Sequence, residues 1–160
     1  MGVAGCGKSA VGAALAGRIG AIYLDGDDLH PPENIEKMSR GEPLTDEDRW
    51  PWLTLVGRTL AQPDGTLIIG CSALKRHYRD HIAREARGPV TFVHLSGSKN
   101  LIAARMSARA GHFMPTSLID SQFAALEPPA QDENAMTVDI DDTLESIVDR
   151  IAAKLEETPS

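Results

Sequence analysis

The stretch Met1-Gly2-Val3-Ala4-Gly5-Cys6-Gly7-Lys8-Ser9 decides how the rest of the chain is read. Gly2, Gly7, Lys8 and Ser9 satisfy G-x-x-x-x-G-K-[ST], the spacing of a phosphate-binding P-loop. A phosphate needs backbone N–H groups at close range, and glycine lets the chain wrap it without a Cβ in the way. The spacing predicts a helix over 8–18 whose N-terminus faces the same anion. Lys8 then reaches the β- and γ-phosphates, and the Ser9 hydroxyl is placed for Mg²⁺. A chance glycine-rich turn is the competing reading. The Lys-Ser pair at the right distance and the apolar pattern Val11, Ala14, Leu15 argue against it. Gly2, Ala4, Gly5, Cys6, Gly7, Lys8, Ser9 and Ala10 are the candidate nucleotide-binding set.

A P-loop joins a buried strand to a helix, yet only Met1 precedes Gly2. Two readings follow. Met1 is an internal methionine of a longer chain, or the protein is shortened and its sheet carries a gap. The first is the expectation, because losing a central strand forfeits ladder hydrogen bonds and core side chains.

The 160 residues suit one domain with a proper core, so residues 1–160 are read as a single unit. Hydrophobic content of 42% and charged content of 24% are ordinary for a globular chain. No apolar run is long enough to cross a bilayer, and no signal peptide is visible. The formal charge of −7 argues against nucleic acid or an anionic membrane as a partner. Cys6 and Cys71 are read as two free thiols of a reducing compartment.

Apolar runs at 21–25, 66–71, 90–95 and 136–139 read as strands, and helical patterns separate them. Thr45 with Asp46, Glu47 and Asp48 reads as a helix start, and Ser98 as another. The helix after Lys75 reads as charged and mostly solvated. This alternation predicts an α/β domain whose parallel sheet is covered on both faces, with ligands at the C-terminal strand ends. The P-loop, Asp25 to His30, and Cys71 to Lys75 all fall there.

Those stretches carry the candidate chemistry. Phosphoryl transfer to a hydroxyl needs a metal to offset charge and a carboxylate to orient the acceptor. Asp25 and Asp27, just past a strand, can divide those tasks. An acidic turn is the plainer reading of the same residues. Arg105 and Arg109 lie four apart before the break at Gly111-His112-Phe113. They suit a lid over 105–128 that excludes water and steadies the transferring phosphate, or else a solvated helix face. Arg49, Lys75 and Arg79 are candidates for an anionic acceptor, and His30 for one of its hydroxyls. Trp50 and Trp52 read as packing, since aromatics total only 4%.

Taken together, Asp25-Gly26-Asp27-Asp28-Leu29-His30-Pro31, Asn34 to Met38, Gly41 to Asp46, Asp48-Arg49-Trp50-Pro51-Trp52-Leu53, Cys71-Ser72-Ala73-Leu74-Lys75, His77 to Asp80, Arg109 to Phe113 and Val138-Asp139-Ile140 resemble the gluconate kinase family. The P-loop is shared by many families, whereas the Asp-Gly-Asp-Asp-Leu-His-Pro and Cys-Ser-Ala-Leu-Lys blocks are far more specific. The resemblance implies ATP-dependent phosphorylation of D-gluconate at its 6-hydroxyl, giving 6-phospho-D-gluconate and ADP. It also implies the three-layer fold of the nucleoside-monophosphate and shikimate kinases, with strand order 2-3-1-4-5, a mobile lid, and strand 1 largely missing here. A cytoplasmic homodimer is implied as well. By the same resemblance, Ser9 and Asp25 hold Mg²⁺, Asp27 orients the acceptor, and Lys8, Arg105 and Arg109 stabilise the transferring phosphate. Arg49, Lys75 and Arg79 hold gluconate. The rivals are a kinase for another small hydroxylated acid, such as shikimate, and a nucleotide-binding protein without catalysis.

Overall fold

The computed structural model describes residues 1–61, 64–108 and 116–157. Its strands form two parallel pairs. β1 (Ile22–Asp25) runs beside β2 (Leu67–Gly70), with Ile22 opposite Leu67 and Asp25 opposite Gly70. β3 (Phe92–Ser96) runs beside β4 (Ala135–Asp139), with Phe92 opposite Ala135 and Ser96 opposite Asp139. Helices separate the strands in the chain: α1 (Lys8–Ile19) before β1, α2 (Pro32–Ser39) and α3 (Asp46–Leu60) before β2, and α4 (Arg76–Ala86) before β3. α5 (Lys99–Ser107) and α6 (Thr116–Ala125) precede β4, and α7 (Leu144–Glu157) follows it. Parallel strands need such crossovers, because a tight hairpin cannot return the chain to the same end of the sheet.

Local chemistry sets the helix ends. α1 stops at Gly20, whose φ of 71° is left-handed and whose N–H bonds the Ala16 carbonyl. Thr45 and Asp48 form a reciprocal capping box at the start of α3. Ser98 accepts from the Leu101 N–H at the start of α5. α2 begins at Pro32, earlier than the apolar pattern suggests, because proline is preorganised for a first turn.

The strand order counts a strand ahead of Gly2 as number 1, so β1, β2, β3 and β4 are numbers 2, 3, 4 and 5. The observed pairs are therefore 2-3 and 4-5, with the expected gap between them. Met1 and Gly2 bridge one end of it. The Met1 nitrogen donates to the Val93 carbonyl (2.6 Å), the Leu95 N–H donates to the Met1 carbonyl (3.0 Å), and the Gly2 N–H donates to the Ser72 carbonyl (3.1 Å). Beyond that bridge lies a cavity of about 570 Å³ whose walls include Val11, Leu15, Ile68, Ile69, Val93 and Leu95.

Two apolar clusters hold the layers together. Leu15 of α1, Ile102 of α5, and Ile147, Val148 and Ile151 of α7 pack with Leu95 and Val138. Trp52, Leu53 and Val56 of α3 pack with Tyr78 and Ile82 of α4, against Ile69 and Phe92. The second cluster corrects the reading of α4 as mostly solvated. Tyr78, Arg79, Ile82 and Ala86 are buried, with Tyr78 and Ile82 packed on α3, so Arg79 is the charge that the helix turns inward. No described helix is long and apolar enough to cross a membrane.

Candidate active site

The turn over 2–7 is anchored from below and open above. Val3 and Cys6 are buried in the core, so the Cys6 side chain serves packing. Gly5 and Gly7 have φ of +83° and +97°, values that side chains rarely adopt. Gly7 is the N-cap of α1 and gives it no side-chain partner. The first turn of that helix therefore has no side-chain cap, the condition in which a helix start can take an anion. The Lys8 ammonium donates to the Gly2 and Val3 carbonyls (3.0 and 3.1 Å) and ties the turn to itself. Ser9 and Ala10 are exposed beside it. The Ala4 N–H is engaged by the Gln122 side chain of α6 (3.1 Å), and the Cys6 N–H by the Val3 carbonyl (3.2 Å).

β1 delivers the carboxylates. Asp25 closes the strand and caps a short 3₁₀ turn over 26–29, its Oδ1 accepting from the Asp27 N–H (2.9 Å). Asp27 is left exposed, 4.0 Å from the His30 Nε2. His30 is buried and stacks on Trp52, ring centroids 4.0 Å apart. The Trp52 indole N–H donates to the Gly26 carbonyl (2.8 Å), so one side chain supports both the ring and the turn. Burial lowers the pKa of His30. The Asp27 charge opposes that shift and the Arg49 charge reinforces it. The Gly2 N–H donates to the Ser72 carbonyl two residues past β2 (3.1 Å), so the phosphate turn abuts that strand end. Burial pushes the Cys71 thiol up to about 11, which leaves it an inert packing group.

Arg49 and Lys75 meet at Tyr78. The Arg49 guanidinium lies 5.5 Å and the Lys75 ammonium 5.8 Å from the ring centre. Arg49 also donates to the Leu44 carbonyl (2.8 Å) and lies 3.7 Å from Asp46. Tyr78 donates to Asp46 (2.6 Å), and burial with that bond raises the phenol to about 12. Of these two cations, Arg49 is the one whose charge also reaches His30.

Arg79 is elsewhere, and its expected role is corrected. The side chain is 1% exposed. Its Nε donates to Glu133, one terminal nitrogen to the Ala73 and Leu74 carbonyls, and the other to the Glu127 carbonyl and Glu133. A guanidinium has five N–H donors, so none is left for an acceptor molecule. Arg105 donates to the Ile140 carbonyl beyond β4 rather than to the phosphate turn. Arg109 and the expected hinge at Gly111 lie outside the described residues.

Sequence reading passed over Asn34, Tyr78, Gln122 and Glu133 as site-shaping groups, and read Trp52 as packing alone. Asn34 had a usable signal, four residues after His30. Gln122 and Glu133 had none, since their partners lie 118 and 54 residues away.

No protein-family model matches the chain. It is 45% identical over 152 residues to the thermoresistant gluconokinase of Escherichia coli K12, covering 92% of this chain and 86% of that protein. It is 47% identical over 141 residues to the gluconokinase of Gluconobacter oxydans, covering 86% and 79%. The crystal structure of a gluconokinase from Sinorhizobium meliloti superposes with a TM-score of 0.86 at 47% identity, covering 98% of this chain and 93% of that one.

Proposed function

The chain belongs to the gluconokinase family, and from that premise we propose that it transfers the γ-phosphoryl group of ATP to the 6-hydroxyl of D-gluconate. The products are 6-phospho-D-gluconate and ADP. ATP-dependent phosphorylation of gluconate follows from the family. The single observation that supports the finer reading is the exposed Asp27 carboxylate 4.0 Å from the His30 Nε2, just past the end of β1. Gluconate is a small polyhydroxy anion. It needs cations for its carboxylate, polar groups along its chain, and a carboxylate beside the reacting hydroxyl.

In this reading, the backbone N–H groups of Gly5, Gly7 and Ala10, with Lys8 and Ser9, cradle the phosphates, and the Gly2, Ala4 and Cys6 N–H groups hold the shape of the turn through Ser72, Gln122 and Val3. Asp27 orients the acceptor, and Arg49, Lys75 and His30 hold gluconate. The Ser9 hydroxyl and the Asp25 carboxylate would hold Mg²⁺. Their oxygen-only chemistry fits that ion, which takes one or two protein ligands and completes its shell with phosphates and water. The ion would offset charge on the transferring group. Residues 1–160 form one kinase unit, with 105–128 as its lid and a cytoplasmic homodimer as its working form. The mass in solution tests that oligomeric state.

The deciding experiment measures ADP release with ATP, Mg²⁺ and a panel of hydroxylated acids. Saturable turnover with gluconate is expected. Turnover with shikimate but not gluconate would overturn the assignment, and ATP binding without turnover on any acid would leave only a nucleotide-binding protein.

A further inference from the structure

The His30 ring has one chemically permitted tautomer, and Asn34 dictates it. Asn34 is 4% exposed, and its Nδ2 lies 2.9 Å from the Asp48 carbonyl oxygen and 3.2 Å from the His30 Nδ1. A carbonyl only accepts, so the atom facing Asp48 must be the amide nitrogen rather than its oxygen. The second N–H of that NH₂ group then points at Nδ1. Nδ1 must be the bare, accepting nitrogen, and the ring proton sits on Nε2. Nε2 is the atom 4.0 Å from the Asp27 Oδ1. Stacking on Trp52 holds the ring plane in that orientation.

The 4.0 Å separation is too long for a direct hydrogen bond and too short for two intervening atoms in a row. An oxygen set to one side, at ordinary hydrogen-bond distance from both groups, subtends close to a right angle between them. A hydroxyl fits that position: its oxygen accepts from Nε2–H and its proton points to Oδ1.

We propose that Asn34 is a positioning residue for phosphoryl transfer, holding His30 as the Nε2–H tautomer so that His30 and Asp27 receive the same acceptor hydroxyl of gluconate. This rests on the functional reading above. His30 donates to the hydroxyl oxygen while Asp27 accepts its proton. The oxygen forms its bond to the γ-phosphorus as the bond to the bridging oxygen breaks, and ADP leaves with that electron pair. The Nδ1–H tautomer would instead present a bare Nε2, which competes with Asp27 for the hydroxyl proton and turns the acceptor away. The charged groups facing the ring are Asp27 from the 3₁₀ turn and Arg49 from α3.

Imidazole ¹⁵N spectra of the whole protein test this directly, with the His30 signals identified by their loss in His30→Gln. A protonated Nε2 and a bare Nδ1 are expected at neutral pH, and a protonated Nδ1 with a bare Nε2 overturns the inference. Asn34→Asp keeps the side-chain shape but replaces the donor with an acceptor. It should move the proton to Nδ1 and lower kcat with gluconate about tenfold or more, leaving the KM for ATP unchanged. Where that variant does not fold, His30→Gln and His30→Leu decide. Glutamine retains an N–H donor and should keep kcat well above that of leucine, whereas equal losses overturn the inference. Wild-type ADP release with gluconate separates the two levels. Its absence refutes the functional reading, and turnover with an Nδ1–H ring refutes only the role of Asn34.

Discussion

Arg79 and Glu133 form a buried ion pair, Nε to Oε1 at 2.6 Å, with side chains 1% and 6% exposed. Hydrogen bonding by Arg79 holds the Glu133 carboxyl below its usual range. The pair joins α4 to the segment ahead of β4, and the same guanidinium carries the carbonyls of Ala73 and Leu74 just before Lys75. Arg79→Met leaves Glu133 buried without its partner, which costs about 3–5 kcal/mol. Pairing it with Glu133→Leu removes the stranded charge and should recover much of that loss. Urea midpoints of the two singles and the double variant test this. A single variant within about 0.5 kcal/mol of wild type would show the pair to be dispensable.

Acid should weaken the protein through α3. The Lys37 ammonium, 2.7 Å from Asp48, and the Thr45 N–H hold that carboxyl down to about 2. A carboxyl whose folded pKa lies below its unfolded one stabilises the fold at neutral pH. That contribution starts to fall near the unfolded value of about 4 and is gone below about 2. Melting temperature should therefore drop between about pH 4 and pH 2, and Asp48→Asn should flatten the drop. Asp46, Asp132 and Glu133 are lowered in the same sense, so part of the dependence persists in the variant. An unchanged slope would remove Asp48 from the acid response.

The parts legible in the sequence were those built from near neighbours. The glycine spacing of the phosphate turn, the Thr45 cap and the acids after Leu24 each announce their geometry within a few residues. Arg79 was misread because its partner comes from 54 residues away, out of a loop with no periodicity. Beside Lys75 it looked like one more cation at a strand end. Asn34 was missed because, beyond its spacing from His30, nothing in the sequence marks it as turning back toward that ring. In the structure Pro32 opens α2 and carries Asn34 back over the ring. Trp52 was read as packing, which is half of its work, since its N–H also pins the Gly26 carbonyl.

Asp27 and Asp25 should separate in kinetics. Asp27 is exposed, whereas Asp25 is the capping residue at the strand end. Asp27→Asn should lower kcat about a hundredfold or more, the usual cost of losing a positioned base, with ATP affinity near wild type. Asp25→Asn should instead raise the Mg²⁺ concentration needed for half-maximal rate. ADP release across a Mg²⁺ series distinguishes them, and a kcat untouched by Asp27→Asn would exclude it as the base.

Arg105 and Arg109, expected from the sequence to sit on a lid, should differ as well. Arg105 is committed to the Ile140 carbonyl, so its truncation should act on stability at least as much as on rate. Arg109→Ala should reduce transfer about tenfold or more if the side chain meets the transferring phosphate. Single-turnover rates at saturating ATP and gluconate test it, and an unchanged rate removes Arg109 from the mechanism.

Gly7 and Gly20 share a left-handed backbone at opposite ends of α1, with φ of 97° and 71°. A Cβ would meet nothing within 4 Å at Gly20, and only the Val11 side chain at 3.9 Å at Gly7. Replacing either by alanine therefore adds backbone strain with almost no clash, costing about 1–2 kcal/mol in each case. Their effects on nucleotide should nevertheless diverge. At Gly20 the strain is spent far from any ligand, so the KM for ATP should stay at its wild-type value. At Gly7 the new methyl group stands at the mouth of the anion site, and relief of strain would turn the leading N–H groups away from it. Gly7→Ala should then raise the KM for ATP about tenfold or more, since realigning two charge-assisted bonds forfeits more than 1.4 kcal/mol. Thermal melts and ATP titrations on both variants give the comparison. Equal stability losses with ATP binding impaired only in Gly7→Ala would assign the phosphate site to this turn. Equal impairment in both would trace the effect to general loosening of α1 instead.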